Sequence, residues 1–202
     1  MENKLAVGVI PDGNRTWAKN EALNPQKGYH YGARSAVEVV KTALELGTVG
    51  RLVFFLLSHE NIERRPDKQI RAIIGAAEEV LEQICKLPKI SIQFVGEQSE
   101  PEIARLTKKY TTAGSGMHVD LLAVYSATWD LSSRPLGSMS IPPLNAIIRT
   151  SGQARLSGFL PWQSAYAQFL FTNTLWPNFT GEEFSKLLAT YDEIRKHTAT
   201  GE

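Results

Sequence analysis

The sequence LAVGVI at residues 5–10 is followed directly by PDGN at residues 11–14. A nearly continuous apolar run of this length indicates a strand buried on both faces, as the strands of a parallel sheet are. Proline, aspartate, glycine and asparagine favour turns, so polar side chains come at the carboxyl end of this strand. Ligands of open α/β sheets bind beyond the carboxyl ends of the strands, and we therefore expect a functional site here.

Similar apolar segments recur along the chain and predict four further strands. They lie at residues 51–57, 90–94, 118–124 and 145–148. In the third strand, at residues 90–94, apolar and polar residues alternate, which is typical of a strand nearer the edge of a sheet. The alternation of strands with helical segments predicts an α/β fold, with a single domain over residues 1–202 and a mainly parallel sheet flanked by helices.

Capping residues and a periodicity of 3.6 residues predict the helices. A Ser35-x-x-Glu38 capping box begins one helix, and Gly47 offers its end. Apolar residues at helical spacing extend a second helix over residues 66–84. Pro101 begins a third, shorter helix.

Two more helices are predicted towards the end of the chain. Pro161 suits the first turn of one helix, and Thr180-x-x-Glu183 caps the other. One side of the Pro161 helix would consist of Trp162, Ala165, Tyr166 and Phe169. The last helix would turn inward Phe184, Leu187, Leu188, Tyr191 and Ile194. We expect both helices to pack against the sheet.

The composition is that of an ordinary globular chain and excludes several classes of protein. The 202 residues carry 22 Lys and Arg against 21 Asp and Glu, a net charge of +1. This balance provides no long-range field for holding nucleic acid or an anionic membrane surface. The single cysteine, Cys85, excludes a disulfide-stapled scaffold, and no apolar run is long enough for a signal-peptide core or a transmembrane segment. We therefore expect a cytoplasmic protein that binds no nucleic acid.

Polar turns that contain arginine follow three of the predicted strands. They are residues 11–15, residues 58–61 with Arg64 and Arg65, and residues 149–152 with Arg155 and Ser157. Because the carboxyl ends of parallel strands meet at one edge of the sheet, we expect these turns to converge on one rim. Guanidinium groups and glycine amides bind phosphates, and Asp12 could hold a magnesium ion between two of them. The rim predicts a diphosphate substrate.

Motifs for other chemistries fail on their spacing. The glycines at residues 114–116 are followed by no Lys-Ser/Thr pair, and no G-x-G-x-x-G follows the first strand. His59-Glu60 lacks a second histidine at helical spacing, and no G-x-S-x-G occurs. These absences exclude a phosphate-binding-loop nucleotidase, a dinucleotide-binding motif, a zinc protease and a serine hydrolase of the nucleophile-elbow type.

Several motifs occur in the order in which one known family carries them. They are Asp12-Gly13-Asn14 with Trp17-Ala18-Lys19, Gly28 and Gly32, Ser58-x-Glu60-Asn61 with Arg65-Pro66, Ile148-Arg149-Thr150-x-Gly152-x-x-Arg155-x-Ser157, Phe159-Leu160-x-Trp162-Gln163-x-Ala165-Tyr166-Ala167, and Leu175-Trp176-Pro177-x-Phe179. Together they span nearly the whole chain. In these motifs the chain resembles the cis-prenyltransferase family, the undecaprenyl diphosphate synthases and their relatives.

The resemblance implies a parallel α/β fold, commonly a homodimer, that extends an allylic prenyl diphosphate with isopentenyl diphosphate and Mg²⁺. It implies two catalytic residues. Asp12 assists the magnesium ion and the departure of the allylic diphosphate, and Asn61 is positioned towards the proton that is lost after coupling.

The resemblance also implies a set of substrate-binding residues. Those around the donor are Gly13, Asn14 and Arg15, with Ser58 and Glu60 near the reacting carbons. Those around the acceptor diphosphate are Arg149, Arg155 and Ser157. Thr16, Trp17, Tyr29, His59, Arg65 and Leu156 lie in or beside the same motifs and complete the predicted set.

The sequence departs from the family pattern at several of these places. Arg15 stands one position earlier than the family's arginine, and Pro25 and Tyr29 replace an arginine and a histidine. Gln168 stands where the family has an acidic residue that is associated with magnesium. An amide is a weaker magnesium ligand than a carboxylate. These departures cast doubt on ordinary long-chain elongation.

Three functions remain open on the sequence. The first is a prenyltransferase that uses dimethylallyl, geranyl or farnesyl diphosphate and makes a short cis or an irregular, lavandulyl-like product. The apolar residues at 54–57 favour a short product if they wall the site, although they are equally expected in an ordinary sheet core. The second is a weakly active or inactive subunit of a heteromeric cis-prenyltransferase. The third is a terpene-synthase-like enzyme that acts on one prenyl diphosphate alone.

Overall fold

The computed structural model describes residues 4–200, with side chains described for residues 4–196. Its strands are β1 (Leu5–Ile10), β2 (Val49–Ser58), β3 (Ile90–Val95), β4 (Met117–Tyr125), β5 (Ala146–Arg149) and β6 (Gln168–Phe171). They form one sheet in the order β3-β4-β2-β1-β5-β6, and each neighbouring pair is parallel. The five predicted strands are confirmed, and β3 lies at an edge, as its alternation indicates.

Helices and short turns connect the strands. The helices are α1 (Asn14–Asn20), α2 (Pro25–Leu46), α3 (His59–Arg64), α4 (Asp67–Ile84), α5 (Pro101–Tyr110), α6 (Ala127–Ser132) and α7 (Gly181–Thr200), and a 3₁₀ turn covers Trp176–Asn178. The predicted helices at α4, α5 and α7 are confirmed. None of these described helices combines the length and apolar character that crossing a lipid bilayer requires.

Helix α2 begins at Pro25 rather than at the predicted capping box. The Asn24 side chain accepts a hydrogen bond from the Lys27 N–H at 3.2 Å, and proline occupies the first helical turn. An asparagine cap followed by proline is a strong start signal. Ser35 is buried inside this helix, so its interpretation as a cap is wrong.

The helix predicted from Pro161 is also wrong. Residues 161–166 form turns, and the chain then becomes the edge strand β6. Hydrogen bonds of the backbone decide this outcome, because the Gln168 N–H donates to the Asn145 carbonyl at 3.0 Å and β6 pairs along β5. The apolar spacing after Pro161 fits a helix, but pairing with β5 decides the structure, because β5 would otherwise have an open edge.

The two faces of the sheet are covered differently. Helices α2, α4, α5 and α7 pack on one face with most of the buried apolar side chains. The other face is covered by the mostly irregular segments 126–145 and 156–167. Polar contacts hold this cover: the fully buried Asp130 accepts hydrogen bonds from the Tyr125 hydroxyl at 2.6 Å and from Ser138 at 2.7 and 2.8 Å.

A second buried carboxylate, Asp120, lies beneath the same cover. Arg51 Nη1 donates to Asp120 Oδ2 at 3.1 Å and to the Ser140 carbonyl at 2.9 Å, and it thereby links the sheet to the cover. Asp120 Oδ1 is buried and has no hydrogen-bond partner within the part of the chain that the structure describes. Burial raises the pKa of Asp120 to about 6, although Arg51 opposes this change.

We expect Asp120 to make the stability of the fold depend on pH. Because its pKa rises from 3.8 to about 6 on folding, its contribution is fully present below about pH 4 and is lost as the pH rises through about 6. Asp120→Asn keeps the shape without the charge. The free energy of unfolding of the wild type, relative to this variant, should fall by up to about 3 kcal/mol between about pH 4 and pH 7. Urea unfolding measures it, and a difference independent of pH would contradict the prediction.

Candidate active site

A cavity of about 620 Å³ opens at the carboxyl ends of β1, β2 and β5. The polar side chains that line it are Asp12, Asn14, Arg15, Thr16, Tyr29, Ser58, Glu60, Asn61, Arg64, Arg65, Arg149, Arg155 and Ser157. The apolar side chains that line it include Ala33, Ala36, Phe54, Leu56, Ile73, Ala76, Ala77 and Val80. The polar turns after the three strands therefore converge on one rim, and the apolar wall comes from β2, α2 and α4.

Asp12 stands just beyond the end of β1 and is held by hydrogen bonds on several sides. Its Oδ1 accepts from the Gly13 N–H at 2.8 Å, and its Oδ2 accepts from Arg149 Nη2 at 2.7 Å. Its backbone N–H donates to Thr150 Oγ1 at 2.9 Å, and the same hydroxyl donates back to the Asp12 carbonyl at 2.7 Å. The Trp176 N–H also donates to that carbonyl at 3.0 Å. The Asp12 side chain is 38% exposed, so a ligand in the cavity can reach it.

Arg149 ends β5 and its side chain is only 3% exposed. Besides its bond to Asp12, it donates through Nη1 to Ser157 Oγ at 2.9 Å and to the Arg155 carbonyl. Ser151 and Ser157 have φ values of 74° and 52°, which are strained for residues other than glycine. Arg149 therefore anchors a strained loop on the rim, and strain of this kind is commonly found at functional sites.

Glycines bring the start of α1 close to the cavity. A Cβ on Gly28 would lie 2.1 Å from the Asn14 carbonyl oxygen, and one on Gly32 would lie 2.3 Å from Asn14 Oδ1. Gly13 has a φ of 102°, which a side chain would strain. Glycine is required at these positions because a side chain would prevent the close packing of α1 on α2. This packing places Asn14 and Arg15 on the rim.

Tyr29 and Arg65 form a second polar pair on the rim. Arg65 Nη1 donates to the Tyr29 hydroxyl oxygen at 2.8 Å, and the guanidinium lies 5.9 Å from the ring centroid. Burial raises the pKa of Tyr29, although Arg65 and Arg15 oppose this change, and burial lowers the pKa of Arg65. Tyr29 therefore keeps its proton. Because its oxygen already accepts from Arg65, the hydroxyl hydrogen is available to a ligand in the cavity.

The turn after β2 carries the other predicted catalytic residue. Ser58 Oγ accepts a hydrogen bond from the Asn61 N–H at 3.1 Å and caps the short helix α3. The first turn of α3 thereby places Glu60 and Asn61 against the cavity.

Residues 10–199 match the undecaprenyl diphosphate synthase family. The match covers nearly all of the chain and includes every rim residue described above. The chain belongs to this family. The resemblance inferred from the motifs is thereby confirmed, and the chain is a member of a family of prenyl transferases.

Curated relatives of this family are similar along most of their length. An isoprenyl transferase of Aquifex pyrophilus is 32% identical, over 94% of this chain and 93% of the relative. A (2Z,6E)-farnesyl diphosphate synthase of Mycolicibacterium smegmatis is 31% identical, over 92% of this chain and 84% of the relative.

A solved structure shares the fold. Lavandulyl diphosphate synthase from Lavandula x intermedia, in complex with dimethylallyl diphosphate, superposes with a TM-score of 0.82 at 22% identity. The match covers 92% of this chain and 94% of that one. The predicted α/β architecture, a cis-prenyltransferase fold, is thereby confirmed.

Three of the predicted substrate-binding residues do not line the cavity. Trp17 is buried, and its Nε1 donates to Asn178 Oδ1 at 2.7 Å. The His59 ring lies 3.4 Å from the Glu97 carboxylate, and Leu156 packs with the core of the other sheet face. Their motif positions place them beside the site, where they support neighbouring segments.

Gln168, the residue in place of the family's acidic one, also lies away from the cavity. It is the first residue of β6 and pairs in register with Ala146, whereas the rim residue Arg149 pairs with the last residue of β6. At about 3.3 Å per residue, Gln168 is about 10 Å from the rim along the sheet. Within one chain it therefore has no position from which to hold a metal at the rim.

The rim suits a magnesium ion that is held mainly by a substrate. Asp12 and Glu60 are the carboxylates that line the cavity. Over residues 4–196, no group of three or more His, Cys, Asp or Glu side chains is arranged to hold a metal. Mg²⁺ is commonly bound by one or two carboxylates together with substrate phosphates. Asp12, beside several guanidinium groups of a kind that can bind phosphate, fits that arrangement.

Two residues have a structural role at the site that sequence reasoning did not assign. Thr150 bonds to both backbone groups of Asp12, and Trp176 bonds to Asp12 through its N–H and to the Gly32 carbonyl through Nε1 at 2.8 Å. Both residues stand in the family motifs, which was the signal available in the sequence.

We expect the close packing at Gly32 to be sensitive to one methyl group. Gly32→Ala should destabilise the protein by about 1–3 kcal/mol, because the new Cβ would displace Asn14 and the Trp176 ring. Gly75→Ala in α4 is the matched control, since its Cβ would meet no described residue outside its own helix within 4 Å, and it should stabilise the protein by about 0.5–1 kcal/mol. Urea unfolding of both variants measures the difference, and equal effects would refute this packing argument.

Proposed function

We propose that the protein transfers an allylic prenyl group to a second prenyl diphosphate, with Mg²⁺, and makes a short product. The observation that carries the proposal is a rim of carboxylates and several guanidinium groups at a cavity of about 620 Å³ that has an apolar wall. The charged rim suits a diphosphate, and the apolar wall suits a hydrocarbon chain. Cavities of about 300–1,000 Å³ accommodate ligands of drug size, which favours dimethylallyl, geranyl or farnesyl donors over long polyprenyl chains.

On the donor side, Arg15, Arg65 and the Tyr29 hydroxyl bind the leaving diphosphate, and Asp12 holds the magnesium ion. When bound, that ion neutralises charge that develops on the diphosphate. The allylic carbon–oxygen bond breaks and the electron pair leaves with the diphosphate. Guanidinium groups fixed around that oxygen stabilise the charge as it forms.

On the acceptor side, Arg149, Arg155 and Ser157 bind the second diphosphate. The double bond of the acceptor attacks the allylic carbon and forms the new carbon–carbon bond. A proton is then lost to an oxygen of the departed diphosphate, and the Asn61 amide orients the group that loses it. The apolar wall excludes water, which would otherwise capture the cationic carbon.

Two acceptors are compatible with this arrangement. Isopentenyl diphosphate would give a regular cis product, which is supported by the relative named as a (2Z,6E)-farnesyl diphosphate synthase. A second dimethylallyl diphosphate would give an irregular, lavandulyl-like product. The change at Tyr29 supports the irregular route, because this residue lines the cavity and alters the family pattern at the donor diphosphate.

Product analysis tests the proposal. Purified protein is incubated with Mg²⁺ and with dimethylallyl, geranyl or farnesyl diphosphate, each alone and each with isopentenyl diphosphate, and products are identified by mass spectrometry. We expect coupled products. No product from any mixture would favour an inactive subunit of a heteromeric enzyme. An uncoupled product from a single prenyl diphosphate would favour a terpene-synthase-like enzyme.

We expect Asp12→Ala to lower turnover by at least about 10²-fold, because removal of one group that stabilises transition-state charge has effects of that size. Asp192→Ala is the control, since that carboxylate lies on α7 and outside the cavity. Initial rates with the best substrate pair measure both variants. Turnover of Asp12→Ala at the level of the control would remove Asp12 from the mechanism.

We also propose a homodimer formed through β6. This strand lies at the edge of the sheet, where its outer backbone groups have no neighbouring strand in the sheet order. Aromatic side chains are exposed on and beside it: Trp162 is 67% exposed, Tyr166 is 95% exposed, and Phe169 and Phe171 stack at 6.1 Å. An apolar patch at a strand edge favours association, and a second copy supplies the same patch by two-fold symmetry.

We expect Phe169→Glu to convert the dimer into a monomer, because the charge would enter the apolar interface. Leu46→Glu is the control, since Leu46 is equally exposed but ends α2, away from β6. Size-exclusion chromatography with light scattering measures the mass of both variants. A monomeric wild type, or a dimer that survives Phe169→Glu, would contradict this interface.

A cytoplasmic location, without nucleic acid as a partner, completes the proposal. The balanced charge and the single cysteine support it. Fractionation of cells that express the tagged protein tests it.

A further inference from the structure

Arg149 has more hydrogen-bond donors than its protein partners occupy. A guanidinium carries five N–H donors, and those of Arg149 meet Asp12, Ser157 and the Arg155 carbonyl. Its Nε is buried and has no hydrogen-bond partner among the described residues. An unpaired donor on a charged, buried group is costly, which favours an arrangement of the guanidinium that gives more of its donors a partner. This side chain is therefore poised to gain a ligand.

The protein partner of Arg149 is the residue that a cation also needs. Arg149 Nη2 donates to Asp12 Oδ2 at 2.7 Å, and the opposite charges of the pair cancel. While this ion pair persists, Asp12 offers a metal ion little negative charge and only part of its oxygen surface. Arg149 and a divalent cation therefore compete for one carboxylate.

The surroundings allow Arg149 to change partners without moving Asp12. Thr150, Trp176 and the Gly13 N–H hold Asp12 independently of the guanidinium. On the other side, Arg149 reaches the strained loop with Ser157 and Arg155. A diphosphate bound at that loop would offer the guanidinium anionic oxygens in place of the Asp12 carboxylate.

We propose that Arg149 is a positioning residue that couples the two halves of the site: a diphosphate at the loop of Arg155 and Ser157 takes its guanidinium and thereby releases Asp12 for Mg²⁺. This inference rests on the proposed function and deepens it. Coupling between two sites is reciprocal, so Asp12 must also weaken the binding of a metal-free diphosphate by holding Arg149 back.

This reciprocity predicts that Asp12→Asn changes the affinity for pyrophosphate in opposite directions without and with Mg²⁺. Without metal, the variant should bind inorganic pyrophosphate at least about 5-fold more tightly than the wild type, because Arg149 is no longer held by a carboxylate. With Mg²⁺, it should bind pyrophosphate at least about 5-fold more weakly, because the metal has lost its protein ligand. A packing defect alone would not change the affinity for pyrophosphate in opposite directions without and with Mg²⁺.

Isothermal titration of pyrophosphate in EDTA and in excess Mg²⁺ measures this change. Glu63→Gln is the matched control, since it removes an exposed carboxylate of α3 that lies outside the cavity lining, and it should change either affinity by less than about 2-fold. Arg149→Met closes the cycle, because the metal-free gain from Asp12→Asn should vanish in that background. Asp12→Ala serves in the same way if the asparagine variant does not fold.

The outcomes separate this coupling from the proposed function. A metal-free gain that Glu63→Gln reproduces, or that persists with Arg149→Met, would show an effect of general charge and overturn the coupling. Unchanged or lower metal-free affinity in Asp12→Asn would also overturn it. If Asp12→Asn has these opposite effects but the protein makes no coupled product, the coupling between the two halves of the site stands and the proposed reaction is wrong.

Discussion

The parallel pairing of β1 with β5 is the constraint on which the site depends. Ile10 pairs with Arg149 in this register, so the chain beyond β1 emerges beside the chain beyond β5. A carboxylate and a guanidinium that are 137 positions apart in the sequence thereby come within 2.7 Å. A shift of one residue would turn Arg149 to the other face of the sheet and break this ion pair. The registry of two short strands thus decides whether the rim exists.

Much of the fold can be predicted from the sequence because its strands are short, apolar and bounded by turn residues. LAVGVI and RLVFFLL are buried on both faces, and their composition alone marks them. The errors arise where tertiary contacts decide. Pro161 begins no helix, because β5 would have an open edge without β6. Helix α2 starts at Pro25, where asparagine and proline outweigh the apparent cap at Ser35.

The site could be predicted in outline but not in every residue. Motif position places a residue near the rim, yet it does not give the direction of its side chain. His59 adjoins the rim residues Ser58 and Glu60, but its ring faces Glu97. Thr150 sits next to Arg149, and its hydroxyl bonds to backbone groups of Asp12, which no pattern in a single sequence reveals. Side-chain direction follows from packing between segments that are distant in the chain.

The separation of apolar and charged groups around the cavity has a consequence for how substitutions would act. Ala33, Ala36, Ala76 and Ala77 line the cavity from α2 and α4, whereas the charged groups come from the carboxyl ends of strands and the short segments that follow them. The volume of the cavity and the charge of its rim are therefore encoded on different stretches of the chain. Exchange of one of these alanines for a larger residue would reduce the volume and leave the charged groups in place.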